Sequence, residues 1–95
     1  MAHDETYTAV VTVVGQDKPG IIARVTGVLA QYNVNVQDIS QTIMQDIFHM
    51  IMLVDTGKMT LSFQDLDRAL QEVGSDLGCQ GTLQQRDVFQ AMHRI

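Results

Sequence analysis

The sequence is poor in the residues that form disulfides, metal sites and nucleic-acid surfaces. Its 95 residues include one cysteine, one proline, no tryptophan and six basic side chains against eleven acidic ones. The lone Cys79 allows no internal disulfide and no cysteine-rich metal site. The scattered Lys and Arg residues and the formal charge of −5 disfavour direct nucleic-acid binding, because that binding depends on neutralising phosphates.

Long hydrophobic runs are also missing. The longest apolar stretch is shorter than the roughly 20 residues that a membrane-spanning helix needs, and the chain does not open on a signal-peptide pattern. We therefore expect a soluble, cytoplasmic protein with no membrane contact. The hydrophobic content of 45% predicts an ordered globular chain, and the length leaves room for only one domain, over residues 1–95.

The apolar residues that are present repeat with the periods of strands and helices. Strands are predicted in three segments, Tyr7 to Gly15, Val34 to Asp55 (two strands around a turn near Gln45 and Asp46) and Cys79 to Gln84. The apolar phase slips between Val36 and Ile39. A β-bulge near Asp38 would account for this slip.

Two helices are predicted between the strands, and a short one after them. The first begins at Ile21, has one apolar face and ends at Asn33 in a left-handed conformation. Ser62 and Asp65 resemble a capping box at the start of the second helix, which ends at Gly78. The last segment predicts a short amphipathic helix with the apolar residues Val88, Phe89, Met92 and Ile95.

This order of elements is that of the ferredoxin-like βαββαβ fold, of the α+β class, in which both helices cover one face of an antiparallel sheet. The first strand has apolar residues on both sides, Val11 and Val13 on one and Val10 and Val14 on the other. Both faces of the sheet therefore need burial. A terminal helix of about ten residues is too small to cover the second face, so we predict a homodimer or a higher homo-oligomer.

The sequence shows no catalytic constellation. The three histidines, His3, His49 and His93, lack the spacing of metal ligands. Cys79 is interpreted as a small core residue, and the loop GQDKPG, residues 15–20, matches neither of the glycine patterns that bind phosphate or dinucleotides. We therefore predict no enzyme activity, no metal and no cofactor.

The same loop has the signals of a helix start. Asp17 can cap the helix, Pro19 can preset its first turn, and Gly20 lets a ligand or a neighbouring chain approach the backbone. Glycine in a first helical turn costs up to about 1 kcal/mol relative to alanine. We interpret that cost as an indication of close contact at Gly20.

The segment VVGQDKPGIIARVTGVLAQYNVNVQDIS, residues 13–40, resembles the opening of an ACT domain. It has an Asp-x-Pro-Gly loop, a helix that ends in a Leu-Ala pattern, and Asn-Val-Asn-Val leading into the second strand. The resemblance runs over nearly the whole chain. VVGQDKPGI, DISQTIM and VFQAMHRI also resemble small stand-alone ACT proteins related to the glycine-cleavage-system regulator.

The resemblance implies a non-catalytic regulatory module that binds a small metabolite, expected to be an amino acid, at an interface between two copies. By position, it assigns ligand binding to Asp17, Gly20, Asn35, Val36, Gln37 and Asp38. Amides at a helix N-terminus can bind a carboxylate, and Asp17, Asn35 or Asp38 can bind an ammonium group. The alternative is an ACT-like module that pairs with a protein partner and binds no metabolite.

Overall fold

The computed structural model of the chain describes residues 7–92. Its elements in chain order are β1 (Thr8–Gln16), α1 (Ile21–Gln31), β2 (Asn35–Met44), β3 (Ile47–Asp55), α2 (Phe63–Asp76), β4 (Cys79–Gln85) and α3 (Arg86–Met92). The strands form one antiparallel sheet in the order β2-β3-β1-β4. The predicted ferredoxin-like fold with a short C-terminal helix is therefore confirmed. The interpretations of His3, His93 and Ile95 fall outside the described residues.

The strand pairing confirms the predicted turn and bulge. Gln45, between β2 and β3, has a φ of 57°, and Asn33 follows α1 with a φ of 62°. The register of β2 against β3 shifts between Val36 and Asp38, so Gln37 is the extra residue of a bulge. Beyond the bulge, the residues of β2 on the helix side of the sheet are Ile39, Gln41 and Ile43, which pair with buried residues of β3.

The core lies between the sheet and the helices α1 and α2. From α1, Ile21, Val25 and Leu29 are buried, because their spacing places them on one side of the helix. They pack with Met50, Met52 and the other inward side chains of the sheet. Ile22, the next residue of α1, is 36% exposed and lies at the side of the helix that faces β2.

Helix α2 packs closely on β4 because both have a glycine at the contact. A Cβ on Gly81 would lie 2.8 Å from the carbonyl oxygen of Leu70, and a Cβ on Gly74 would lie 2.9 Å from the amide nitrogen of Gly81. Real Cβ atoms essentially never approach other atoms so closely. Both glycines are therefore required by the packing of α2 on β4. Cys79 is buried beside them, as predicted for a core residue.

The face of the sheet opposite α1 and α2 is only partly covered. Helix α3 contacts β1 and β4, and Val10, on this face of β1, is buried. Towards the other end of the sheet, Val14 and Ile47 on the same face are 40% and 56% exposed. Within residues 7–92, helix α3 thus leaves part of this face uncovered, while the homo-oligomer stays a prediction.

Candidate ligand-binding cleft

The loop between β1 and α1 is attached to the β2–β3 turn. The backbone amide of Asp17 donates a hydrogen bond of 2.8 Å to the carbonyl oxygen of Asp46. Gly20 then adopts a left-handed conformation with a φ of 89°, and α1 begins at Ile21. The loop therefore places the N-terminus of α1 next to the turn that ends β2.

The start of α1 differs from the predicted one. Gly20 is the N-cap residue, so Asp17 does not cap the helix, and Pro19 precedes the cap instead of presetting the first turn. An L-residue is strained at the φ of Gly20, whereas apart from its two chain neighbours no described atom lies within 4 Å of the position that a Cβ would take there. Glycine is therefore required by the backbone conformation, and the space beside it is open.

The first turn of α1 presents amide groups that have no side-chain acceptor among the described residues. Helical hydrogen bonding begins with the amide of Arg24, which donates to the carbonyl oxygen of Gly20 over 2.9 Å. The first turn also contains no acidic residue. Since the helix dipole gives this end a partial positive charge, the amides of residues 21–23 form a potential site for an anion.

A cleft of about 290 Å³ opens at this helix start, between the loop, α1 and the helix side of β2. Its lining residues are Asp17, Lys18, Gly20, Ile21, Ile22, Ala23, Gln41, Ile43 and Phe48. Asp17 supplies a carboxylate, α1 supplies amides, and Ile22 and Ile43 supply exposed apolar surface. Such a combination fits a small zwitterion that also has an apolar part.

The structure brings only part of the predicted ligand site together in one chain. Asp17 and Gly20 line the cleft. The other four predicted residues, Asn35, Val36, Gln37 and Asp38, begin β2 at the opposite end of the sheet. There Asn35 pairs with Asp55. At about 3.3 Å per residue, Asn35 lies roughly 20 Å along β2 from Gln41, the first residue of this strand that lines the cleft, and Asp38 lies about 10 Å from Gln41. An amino acid in the cleft can therefore contact Asn35 only if a second copy supplies that residue.

The residues at the start of β2 differ in their surroundings. Val36 is half-buried and packs against the hydrophobic core. A side-chain oxygen of Asp38, Oδ1, accepts a hydrogen bond of 2.9 Å from the amide of Ile39. Asn35 and Asp38 are exposed. Val36 therefore has a structural role, whereas the side chains of Asn35 and Asp38 are accessible to a ligand or a second chain.

Sequence reasoning missed the wall of the cleft that β2 provides. Gln41 and Ile43 lie on the helix side of the sheet because the bulge changes the face to which the following side chains point. Counting the alternation from the predicted bulge would have found them. Lys18 was missed as well. Its Nζ lies beside Gly78, at the C-terminal end of α2, where a positive charge is favourable.

The part of the chain that the structure describes has few other groups that could form a metal site or a catalytic site. Within residues 7–92, no group of three or more His, Cys, Asp or Glu side chains is placed to hold a metal ion. His49 is exposed on β3 and Cys79 is a buried thiol. No helix in the same range is long and apolar enough to cross a membrane. The cleft at the start of α1 is therefore the candidate site.

Comparison with known sequences identifies the family. The sequence profile of the ACT domain matches residues 7–82. A UPF0237 protein of Methanococcus maripaludis is 54% identical over 86 residues, which are 90% of this chain and 96% of that protein. The profile match thus includes the loop, every residue that lines the cleft, the strands β1 to β3 and the first part of β4.

Solved structures are similar as well. An ACT domain protein from Streptococcus pneumoniae superposes with a TM-score of 0.76 at 35% identity, over 90% of this chain and 97% of that chain. The regulatory subunit of aspartate kinase from Thermus thermophilus has a TM-score of 0.66 at 26% identity, over 84% of this chain and 52% of that chain. By its sequence and by its fold, this chain belongs to the ACT domain family.

Proposed function

We propose that this ACT domain is a regulatory module that binds a small metabolite, an amino acid, at an interface between two copies of the chain. The observation that carries the proposal is the cleft at the start of α1, where a carboxylate, helix amides without a side-chain acceptor and exposed apolar side chains meet. The likeness to a regulatory subunit of aspartate kinase supports a role in regulation.

An amino acid has two charged groups, and the cleft offers a site for each. The carboxylate binds the amides at the N-terminus of α1, and the ammonium group binds the carboxylate of Asp17. Ile22 and Ile43, which are 36% and 52% exposed, contact the side chain of the ligand and are removed from water on binding. The preferred ligand is therefore an amino acid with an apolar side chain.

The second copy supplies the start of β2. This strand is at the edge of the sheet and is exposed along almost its whole length, so it can pair with a further strand. Two β2 strands that pair antiparallel across a two-fold axis place the Asn35 end of one copy beside the cleft of the other. The ligand then contacts both copies, and its binding stabilises their association.

A thermal-shift screen over the amino acids tests this proposal. A ligand at 100 times its dissociation constant stabilises a protein by about 2.7 kcal/mol, which raises the Tm of a domain of this size by about 10 °C or more. We expect such a rise with at least one apolar amino acid, and we expect Asp17→Asn to abolish it. Glu72→Gln removes the same charge from the exposed surface of α2 and should leave the rise unchanged.

Two results would contradict the proposal in different ways. If no amino acid raises the Tm of the wild-type protein, metabolite binding is wrong and the protein-interaction module becomes the better account. If a rise persists in Asp17→Asn, an amino acid binds but the assignment of its ammonium group to Asp17 is wrong.

A further inference from the structure

The face of the sheet opposite the cleft has very few charged side chains. Among its described strand residues, Asp38 and Asp55 are the charged ones, and both lie at the end of the sheet where β2 begins. The remainder are apolar, hydroxyl or amide side chains and His49. The chain as a whole has a formal charge of −5. Depletion of charge in the centre of a surface is typical of protein–protein interfaces.

Helix α3 and the sheet form a groove of about 380 Å³ on this face. Its lining includes Thr12 and Thr82, whose hydroxyl groups form a hydrogen bond with each other. It also includes the apolar side chains of Val14, Ile51 and Phe89. Because the two hydroxyl groups satisfy each other, filling the groove with an apolar side chain leaves neither of them without a partner.

Met44 is exposed on the same face as this groove. It pairs with Ile47 where β2 meets the turn, and directly paired residues of antiparallel strands lie on the same face. Met44 is 68% exposed and Ile47 is 56% exposed. Methionine is unbranched and adapts to irregular gaps between other side chains. The face therefore has both an exposed apolar side chain and a groove that can accept one.

We infer that this face packs against the same face of a second copy, with Met44 of each copy in the groove of the other. In an interface with two-fold symmetry, each copy presents the same surface, so a protruding side chain and the groove that receives it must both lie on that surface. Met44 and the groove beside α3 both lie on this face. Two acidic chains can also approach through these faces, because the centre of each face has no carboxylate.

The size of the face sets the expected strength of this contact. The strands have seven to ten residues each and lie about 4.8 Å apart, so the face, including the part where the outer side of α3 replaces the sheet as its surface, has an area of roughly 500 Å². Two copies would bury about 1,000 Å², which is the lower limit for a specific interface. We therefore expect association in the micromolar range. The face lies on the side of the sheet away from the cleft, so the inference does not depend on ligand binding.

Light-scattering mass measurements without ligand, at about 100 µM subunit, test this inference. We expect Met44→Glu to halve the mass of the wild-type particle, since each interface receives two buried carboxylates. Ile47→Glu, on the next strand of the same face, should do the same. Gln64→Glu introduces the same side chain on the exposed surface of α2 and should leave the mass unchanged. Circular dichroism of each variant verifies that the fold is kept.

The expected result does not depend on whether the wild-type particle contains two or four copies. If the β2 edge also pairs, the mass falls from four copies to two, and otherwise it falls from two copies to one. A monomeric wild-type protein at this concentration would overturn the inference. So would two folded variants, Met44→Glu and Ile47→Glu, that both retain the wild-type mass. If no amino acid raises the Tm in the thermal-shift screen, only the proposed function is contradicted.

Discussion

The two main helices begin in different ways. At the start of α2, Ser62 Oγ accepts a hydrogen bond of 3.1 Å from the amide of Asp65, and Asp65 adds a negative charge to the first turn. At the start of α1, Gly20 has no side chain, and the first turn has no acidic residue. The side chains of Ser62 and Asp65 therefore compensate the partial positive charge at the N-terminus of α2. At the N-terminus of α1, the amide groups of the first turn are available to a ligand or another chain.

The packing of the two helices shows the same contrast. Gly74 of α2 contacts the backbone of β4, and a Cβ there would lie 3.0 Å from the carbonyl oxygen of Cys79. Apart from its chain neighbours and the backbone of α1 itself, no described atom lies within 4 Å of the position that a Cβ on Gly27 would take. In this account α2 is built for the stability of the fold, while the outer side of α1 forms one wall of a binding surface. The following variants test that division.

The largest difference is expected between the two mid-helix glycines. Gly74→Ala forces a methyl group against β4 and should lower the free energy of unfolding by about 1–3 kcal/mol. Gly27→Ala has space for its methyl group and should raise the free energy of unfolding by up to about 1 kcal/mol, because alanine favours helix. Urea denaturation of both variants measures the difference. Equal effects would show that α1 packs as closely as α2.

A smaller effect is expected at the two N-cap positions. Ser62→Ala removes the cap of α2 and should cost about 1 kcal/mol of unfolding free energy. Gly20→Ala places a Cβ at a positive φ, which costs about 1–2 kcal/mol. Although the losses are similar, only Gly20→Ala adds an atom to the cleft, so only this variant should weaken the binding of the amino acid found in the screen. Calorimetric titration of both variants measures that binding. Equal affinity in both would contradict the distinction.

The smallest effect is expected at the ion pair that joins the two helices. Arg24 of α1 and Asp76 of α2 lie 3.5 Å apart, with both side chains more than half exposed. Solvent screens such a pair, so Asp76→Asn should change the free energy of unfolding by about 0.5 kcal/mol or less. A double-mutant cycle with Arg24→Gln measures the coupling. A coupling above about 1.5 kcal/mol would mean that the pair, and not the core, fixes α1 against α2.

The fold could be predicted from the sequence because local patterns agree with one another. The Ser62 cap, the stop at Gly78 and the slip before Ile39 are short-range signals, and the structure has a cap, a left-handed glycine and a bulge at those places. Together with the strand and helix periods, they leave one common arrangement of six elements. One local signal was misleading. Asp17 was expected to cap α1, but the N-cap residue of this helix is Gly20.

The cleft was less predictable because it depends on contacts between distant segments. Gln41 and Ile43 reach it through the register of β2 against β3, which sequence periodicity fixes only after the bulge is located to one residue. The requirement for Gly81 is likewise set by Leu70, eleven positions earlier in the sequence. The resemblance to the family assigned ligand binding to Asp17 and Gly20, which line the cleft, but it named neither Gln41 nor Ile43 on the opposite wall.

The most direct test of the central claim is to map an amino acid onto the two helix starts by NMR. Amide shifts of the ¹⁵N-labelled protein should be recorded while the amino acid selected by the thermal-shift screen is added. We expect the amides of residues 17, 18, 20–23 and 41–43 to shift with one saturation curve, together with residues 35–38, while residues 62–66 at the capped start of α2 do not shift. Saturable shifts that spare residues 17–23 would contradict it.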